Sequence, residues 1–280
     1  MATTRNDQAA IGLPPTPSAP SCGCGCCSTL ERVHYFTRQL MTADDMIVEQ
    51  EYFREKLRRH NRYLHGWGVT CGCAVFADPT SEMPWRVKIC PGYAVSPQGD
   101  EIAICQSTYF NLAGDWNKAD DPCAKPWPCP PAGPFGGSEE DHRVFLAVRY
   151  AECNARPVRI HPVGCSCSDA ACEYSRIRDD FQLALLWELP DCYKEAAEAD
   201  KEWCDEIKKW FSAAPPQGRP SLPMPAPPCP DCCDSPWVIL ATILLPPDQK
   251  TPIKAGNISY DDRKVILSTD AIQQMVICMK

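Results

Sequence analysis

Proline partitions this 280-residue chain before any other residue type has a say. Six prolines fall within residues 122–134 and nine within 215–236. Each locks φ near about −65° and lacks the N–H that a helix interior or a central strand must donate. No regular element can cross either stretch. Pro14, Pro15, Pro17 and Pro20 impose the same on the start of the chain, where Ser21-Cys-Gly-Cys-Gly-Cys-Cys-Ser28 follows them. The expected organisation is a Pro/Cys-rich tail over 1–28, a main module over 29–214, a Pro-rich linker over 215–236 and a C-terminal strand and helix segment over 237–280.

Between the prolines the periodicities are readable. Apolar residues make up 44% of the chain, enough at this length to build a buried core, which excludes global disorder. Thr42 and Asp45 stand in the relation of a capping box and predict a helix starting there. Met46, Phe53, Leu57 and Leu64 share one of its faces, and Gly66 is placed to end it after His65. Two-residue alternation predicts strands over 69–76, 85–89 and 101–105, with turn chemistry in Ser96-Pro-Gln-Gly-Asp100. Further strands are expected over 144–150, 157–160, 181–189, 237–245 and 265–267. A second helix is expected over 191–213, capped by Asp191 with Ala196, Trp203, Ile207 and Trp210 on its apolar face, and a short one over 269–279. The predicted fold class is α+β and β-rich. A long N-terminal helix packs on short antiparallel strands, joined by Pro-rich linkers to a second helix.

Charge and hydropathy narrow the partners. Lys and Arg number 28 against 36 Asp and Glu, a net charge of −8, which argues against duplex nucleic acid, whose affinity comes from phosphate neutralisation. Basic and aromatic residues do alternate over 58–68. They read as a helix end, where cations offset the negative pole of the dipole. The longest strong apolar run, 237–245, is strand-sized, so no membrane span is expected. Residues 1–20 hold Arg5 as their one basic residue and no apolar core, so no secretory signal is expected and synthesis is placed in the cytoplasm.

Cysteine is the compositional outlier, at 20 of 280 residues. Cys24-x-x-Cys27 and Cys229-x-x-Cys232 have the knuckle spacing of a structural zinc site, although some 200 residues separate them. Cys71-x-Cys73 and Cys165-x-Cys167 place two sulfurs on one strand face, and Cys172 lies close to the second pair. These nine are the candidate metal ligands, with zinc as the structural cofactor. Disulfides and plain buried thiols stay open as alternatives. No phosphate-binding loop, nucleophile elbow or zinc-protease motif occurs, and Asp115-x-Asn117-x-x-Asp120 lacks the glycine and the final glutamate of a calcium loop. No catalytic or cofactor-binding residue is nominated, and the chain is not expected to be an enzyme.

Several strings together carry a resemblance. They are His34-Tyr-Phe-Thr-Arg-Gln-Leu-Met-Thr-Ala-Asp-Asp45, Glu49-Gln-Glu-Tyr-Phe53, Leu64-His-Gly-Trp-Gly-Val69 with Cys71-Gly72, and Pro91-Gly-Tyr-Ala-Val-Ser-Pro-Gln-Gly-Asp-Glu-Ile102. Phe145-Leu-Ala-Val-Arg-Tyr-Ala-Glu152, Cys172-Glu-Tyr-Ser-Arg-Ile-Arg178 and Trp237 to Leu245, with Asp262-Arg263, continue it. Over most of 33–270 the chain resembles bacterial proteins encoded beside the baseplate genes of phage-tail-like contractile injection systems. The resemblance implies a structural or assembly component at or near a baseplate, with other tail and baseplate proteins as partners. It implies several copies in a symmetric assembly and a final place within the injection particle, which can be extracellular. The competing expectation is a Cys-rich zinc-binding or redox module.

Overall fold

A computed structural model describes residues 29–114, 143–159, 172–212, 225–227, 229, 233–246 and 250–278. The elements run α1 (Ala43–His60), β1 (Gly68–Gly72), β2 (Val75–Ala77), β3 (Arg86–Ile89), β4 (Gly92–Val95), β5 (Glu101–Ile104) and β6 (Thr108–Asn111). Then follow β7 (Arg143–Arg159), β8 (Cys172–Leu186), α2 (Asp191–Ser212), β9 (Val238–Leu244), β10 (Ile258–Ser259) and α3 (Thr269–Cys278). The class is α+β, as the periodicities predict.

Helix α1 begins where its capping chemistry says it should. The Asp45 amide donates to Thr42 Oγ1 at 3.2 Å, and the Thr42 amide donates back to Asp45 Oδ2 at 2.8 Å. Two otherwise orphaned amides are thereby satisfied. The Thr42 amide, together with the Thr42 hydroxyl donating to the same oxygen at 2.7 Å, holds the Asp45 carboxyl below the usual carboxylate range. A π-helical turn, Asn61–His65, extends the helix, and Gly66 ends it at φ 78°, a conformation that costs glycine nothing.

The strands form three sheets, ordered β1-β4-β5, β2-β3-β6 and β10-β9-β7-β8. Every pairing within these sheets is antiparallel, and the strand expected over 265–267 is reduced to an isolated parallel bridge from Val265 to Val69. The four-stranded sheet is covered on both faces. Val144, Leu146 and Val148 of β7 join Val238, Leu240 and Ile243 of β9 in a core shared with β1 to β6. Phe145, Ala147 and Ile239 point the other way, against Trp67 and Tyr193. Covering both faces explains why 237–245 is an unbroken apolar run rather than an alternating one. Each such side chain, fully buried, contributes roughly 1.5–3 kcal/mol.

Sheet pairing also exceeds what alternation predicts. β7 and β8 pair continuously from Phe145 opposite Leu186 to Arg159 opposite Cys172. Beyond Tyr150 and Phe181 this ribbon leaves the core, and residues 173–179 are all exposed. The reading by periodicity splits β7 in two and starts β8 at 181, because charged residues on both faces of the ribbon hide the period. β4 and β6 are likewise strands that apolar alternation does not single out. Ser96 to Asp100 is the expected turn, and it joins β4 to β5. The Ser96 amide donates to Asp100 O at 2.8 Å, and the Asp100 amide donates to Ser96 Oγ at 3.0 Å.

Candidate functional site

Helix α1 meets the sheets through polar contacts at its C-terminal end. Arg58 Nε donates to Asp100 Oδ1 at 2.6 Å, and the buried Asn61 side chain donates to Gly99 O at 2.9 Å. Arg54 Nη1 pairs with Glu152 Oε1 of β7 at 2.7 Å. Gly99 sits at φ +95°, and a Cβ there would collide with the Arg58 carbonyl. Burial pulls the Arg58 pKa down, but the Asp100 and Glu55 carboxylates outweigh it and the net shift is upward.

That attachment leaves the apolar stripe of α1 open. The helix has no buried residue, and Met46, Phe53 and Leu57 are 54%, 58% and 49% exposed. A helix packed on strands is expected to turn such a stripe inward. Here Arg54 and Arg58 make the contact, and Phe53 lies about 100° round the helix from Arg54. Tyr35, Phe36, Leu40 and Met41 extend the exposed apolar surface ahead of the helix. α3 is a second such element, with Ile272, Met275, Val276 and Ile277 all exposed.

Cys24, Cys27, Cys165, Cys167 and Cys232 lie outside the described residues. The backbone of Cys172 pairs with Arg159 in the β7–β8 ribbon. Cys71 is exposed while Cys73 is fully buried. The expectation that both sulfurs share a strand face is corrected by the backbone. β1 ends at Gly72, and Gly72 and Cys73 take φ values of 62° and 52°, which turns the chain inward. Burial pushes the Cys73 thiol up to about 11, against the opposing pull of Arg263. Among the described residues no three His, Cys, Asp or Glu side chains are arranged to hold a metal ion.

One cysteine pairing escapes the sequence pattern. Cys192, in the first turn of α2, is disulfide-bonded to Cys233, 41 residues later. Gln98 Nε2 donates to Cys233 O at 2.9 Å, and Trp203 Nε1 donates to Pro225 O at 3.3 Å. Pro225 thus lies beside Trp203 and Cys233 beside Cys192. Next to the disulfide, the Ile239 amide donates to the Tyr193 hydroxyl at 2.6 Å, and Tyr193 meets Trp67 edge-on at 4.6 Å. A cleft of roughly 170 Å³ opens here, lined by Trp67, Cys192, Asp200, Cys229, Cys233 and Lys264 among others. Lys264 Nζ lies 3.1 Å from Asp200 Oδ2 and 5.2 Å from the centre of the Trp67 ring, and Glu195 adds a second carboxylate to the lining. The only hint of this pairing in the sequence is the Cys232-Cys233 doublet closing the proline segment. Nothing local singles out Cys192 as its partner.

Comparison with known proteins finds no matching family model and no matching curated protein. Among solved structures, a crystal structure of TssK is similar over 55% of this chain and 35% of its own, at 13% identity and a TM-score of 0.28. The chain therefore spans about a third of that protein's length. The TssK-TssF-TssG baseplate subcomplex of the type VI secretion system is similar over 66% and 72%, at 9% identity and a TM-score of 0.30. At these values neither likeness assigns this chain a fold or a family.

Proposed function

We propose that this chain is a non-enzymatic structural component of a contractile, phage-tail-like injection apparatus, seated at or near its baseplate. The observation that carries the assembly reading is α1, an 18-residue helix with no buried residue. In proteins most of a helix's stability comes from packing an apolar face rather than from propensity. The stripe of Met46, Phe53 and Leu57 therefore calls for another surface, and the exposed apolar face of α3 calls for one elsewhere. Two such faces suit a part that is held by neighbours. The strings shared with proteins encoded beside baseplate genes name the kind of assembly.

The partners proposed are other tail and baseplate proteins, with the chain present in several copies. The place proposed is the assembled particle, reached after cytoplasmic synthesis. The Cys192–Cys233 disulfide accords with a particle that ends outside the cell, since disulfides persist in oxidising surroundings. The test is enrichment of intact particles from cells making the tagged chain. Co-purification with sheath, tube or baseplate proteins, lost when Phe53 becomes glutamate, is expected. Recovery of the chain solely as a free monomer would overturn the reading.

A further inference from the structure

The charge layout of α1 restricts what can lie on its stripe. Met46, Gln50, Phe53 and Leu57 follow one another at steps of four, three and four residues, the spacing of a seam between two packed helices. The first half of the helix holds Asp44, Asp45, Glu49 and Glu51 with no basic residue. The second half holds Arg54, Lys56, Arg58 and Arg59 against Glu55 alone. Arg54 and Arg58 are answered inside the subunit by Glu152, Glu55 and Asp100. Lys56 is not, because among the described residues it meets only the Tyr52 ring and hydroxyl, and no carboxylate. Glu49 is its counterpart. Glu49 is half-buried and its Oε2 is shielded by its own subunit, so it is the charge of Glu49 rather than a direct bond to Oε2 that faces the second copy.

A helix acidic at its start and basic at its end is complementary to its own reverse. We propose that the stripe is covered by helix α1 of a second copy of this chain, antiparallel about a two-fold axis near residues 51–52. Met46 then meets Leu57 of the second copy, Gln50 meets its Phe53, and Glu49 faces its Lys56. Being isologous, the interface makes every contact twice and closes at two subunits. The opposed helix dipoles add to the match. This inference rests on the assembly reading above and names one partner of that surface. Two helices of this length bury less than the roughly 800 Å² per partner of a standard interface, so the pair is expected to form on the order of micromolar concentrations.

The test is sedimentation of the full chain from about 1 to about 100 µM, spanning that range. A monomer–dimer equilibrium is expected. Glu49→Lys and Lys56→Glu alone each weaken it about fivefold, since each breaks two symmetric pairs. Together in one chain they restore it, because the swapped charges again meet across the axis. Lys56 is exposed and Glu49 half-buried, so circular dichroism and urea unfolding of each variant are compared with the wild type to show the fold unchanged. A dimer indifferent to these substitutions, or a chain monomeric throughout, overturns the proposal. If that monomer is still retained on enriched particles through Phe53, the pairing fails while the assembly reading stands. A charge-dependent dimer absent from particles does the opposite, upholding the pairing and sinking the assembly reading.

Discussion

The guanidinium of Arg58 and the carboxylate of Asp100, 42 residues apart in the chain, meet at 2.6 Å where helix α1 ends on the β4–β5 turn. Together with Asn61 on Gly99 and Arg54 on Glu152, this bond determines how α1 stands on the sheets. It therefore also determines that the stripe of Met46, Phe53 and Leu57 faces outward.

Gly99 and Asp100 should accordingly govern the helix rather than the core. Asp100→Asn removes one of the two carboxylates on the half-buried Arg58, leaving Glu55 alone, and should cost about 1–3 kcal/mol. Gly99→Ala should cost at least as much, because a Cβ at φ +95° strains the backbone and strikes the Arg58 carbonyl. Hydrogen exchange of residues 43–65 should accelerate in both variants, ahead of β7 and β9. Uniform acceleration across the molecule would show that α1 is not an independently opening unit.

Tyr193 joins α2 to the central sheet, with its hydroxyl accepting from the Ile239 amide. Removing that oxygen in Tyr193→Phe orphans a buried N–H and should lower stability by about 1–3 kcal/mol. Urea unfolding measures it directly. An unchanged midpoint would mean that the amide finds another acceptor.

The Cys192–Cys233 disulfide closes a loop over a sequence separation of 41. In the chain-entropy picture a loop of that size stabilises by about 4 kcal/mol. Cys192→Ser with Cys233→Ser should therefore shift the urea midpoint markedly, and reductant should shift the wild type to match. Peptide mapping of non-reduced protein should recover the 192–233 linkage. Finding either cysteine joined elsewhere would refute the pairing.

Stability should fall at alkaline pH. The Cys73 thiol is raised to about 11 in the folded chain against 9.0 for the ordinary thiol, because burial disfavours its charged form. Its contribution is complete below about pH 9 and is lost as pH climbs towards 11, at up to about 1.4 kcal/mol per pH unit. Tyr150 and Tyr193, both raised chiefly by burial, extend the decline above pH 10. Cys73→Ala should flatten the first part of the profile and leave the second. Parallel curves for variant and wild type would rule out Cys73 as the source.

Features written within four or five residues are legible in the sequence. Although Asp191 proves to be the first helical residue of α2 rather than the cap before it, the Thr42–Asp45 box, Gly66 at the helix end, the 96–100 turn and the buried strand β9 each announce themselves by cap, turn chemistry or apolar run. β4, β6 and the outer half of the β7–β8 ribbon do not. Their residues pair through the backbone, and a ladder of N–H and C=O groups needs no hydrophobic period. Cys71 and Cys73 mislead for a related reason, since alternation assumes an extended backbone and Gly72 and Cys73 leave it.

The sequence by itself determined where elements can exist, because proline, capping side chains and periodicity act on the chain locally. Tertiary structure alone decided which elements meet. Cys192 finds Cys233 and Arg58 finds Asp100 only once β9 has inserted beside β7 and the β4–β5 turn has been carried beneath α1. Whether the stripe of Met46, Phe53 and Leu57 points inward or outward was decided the same way. Periodicity shows that the helix has an apolar side, and contacts dozens of residues distant choose the direction it faces.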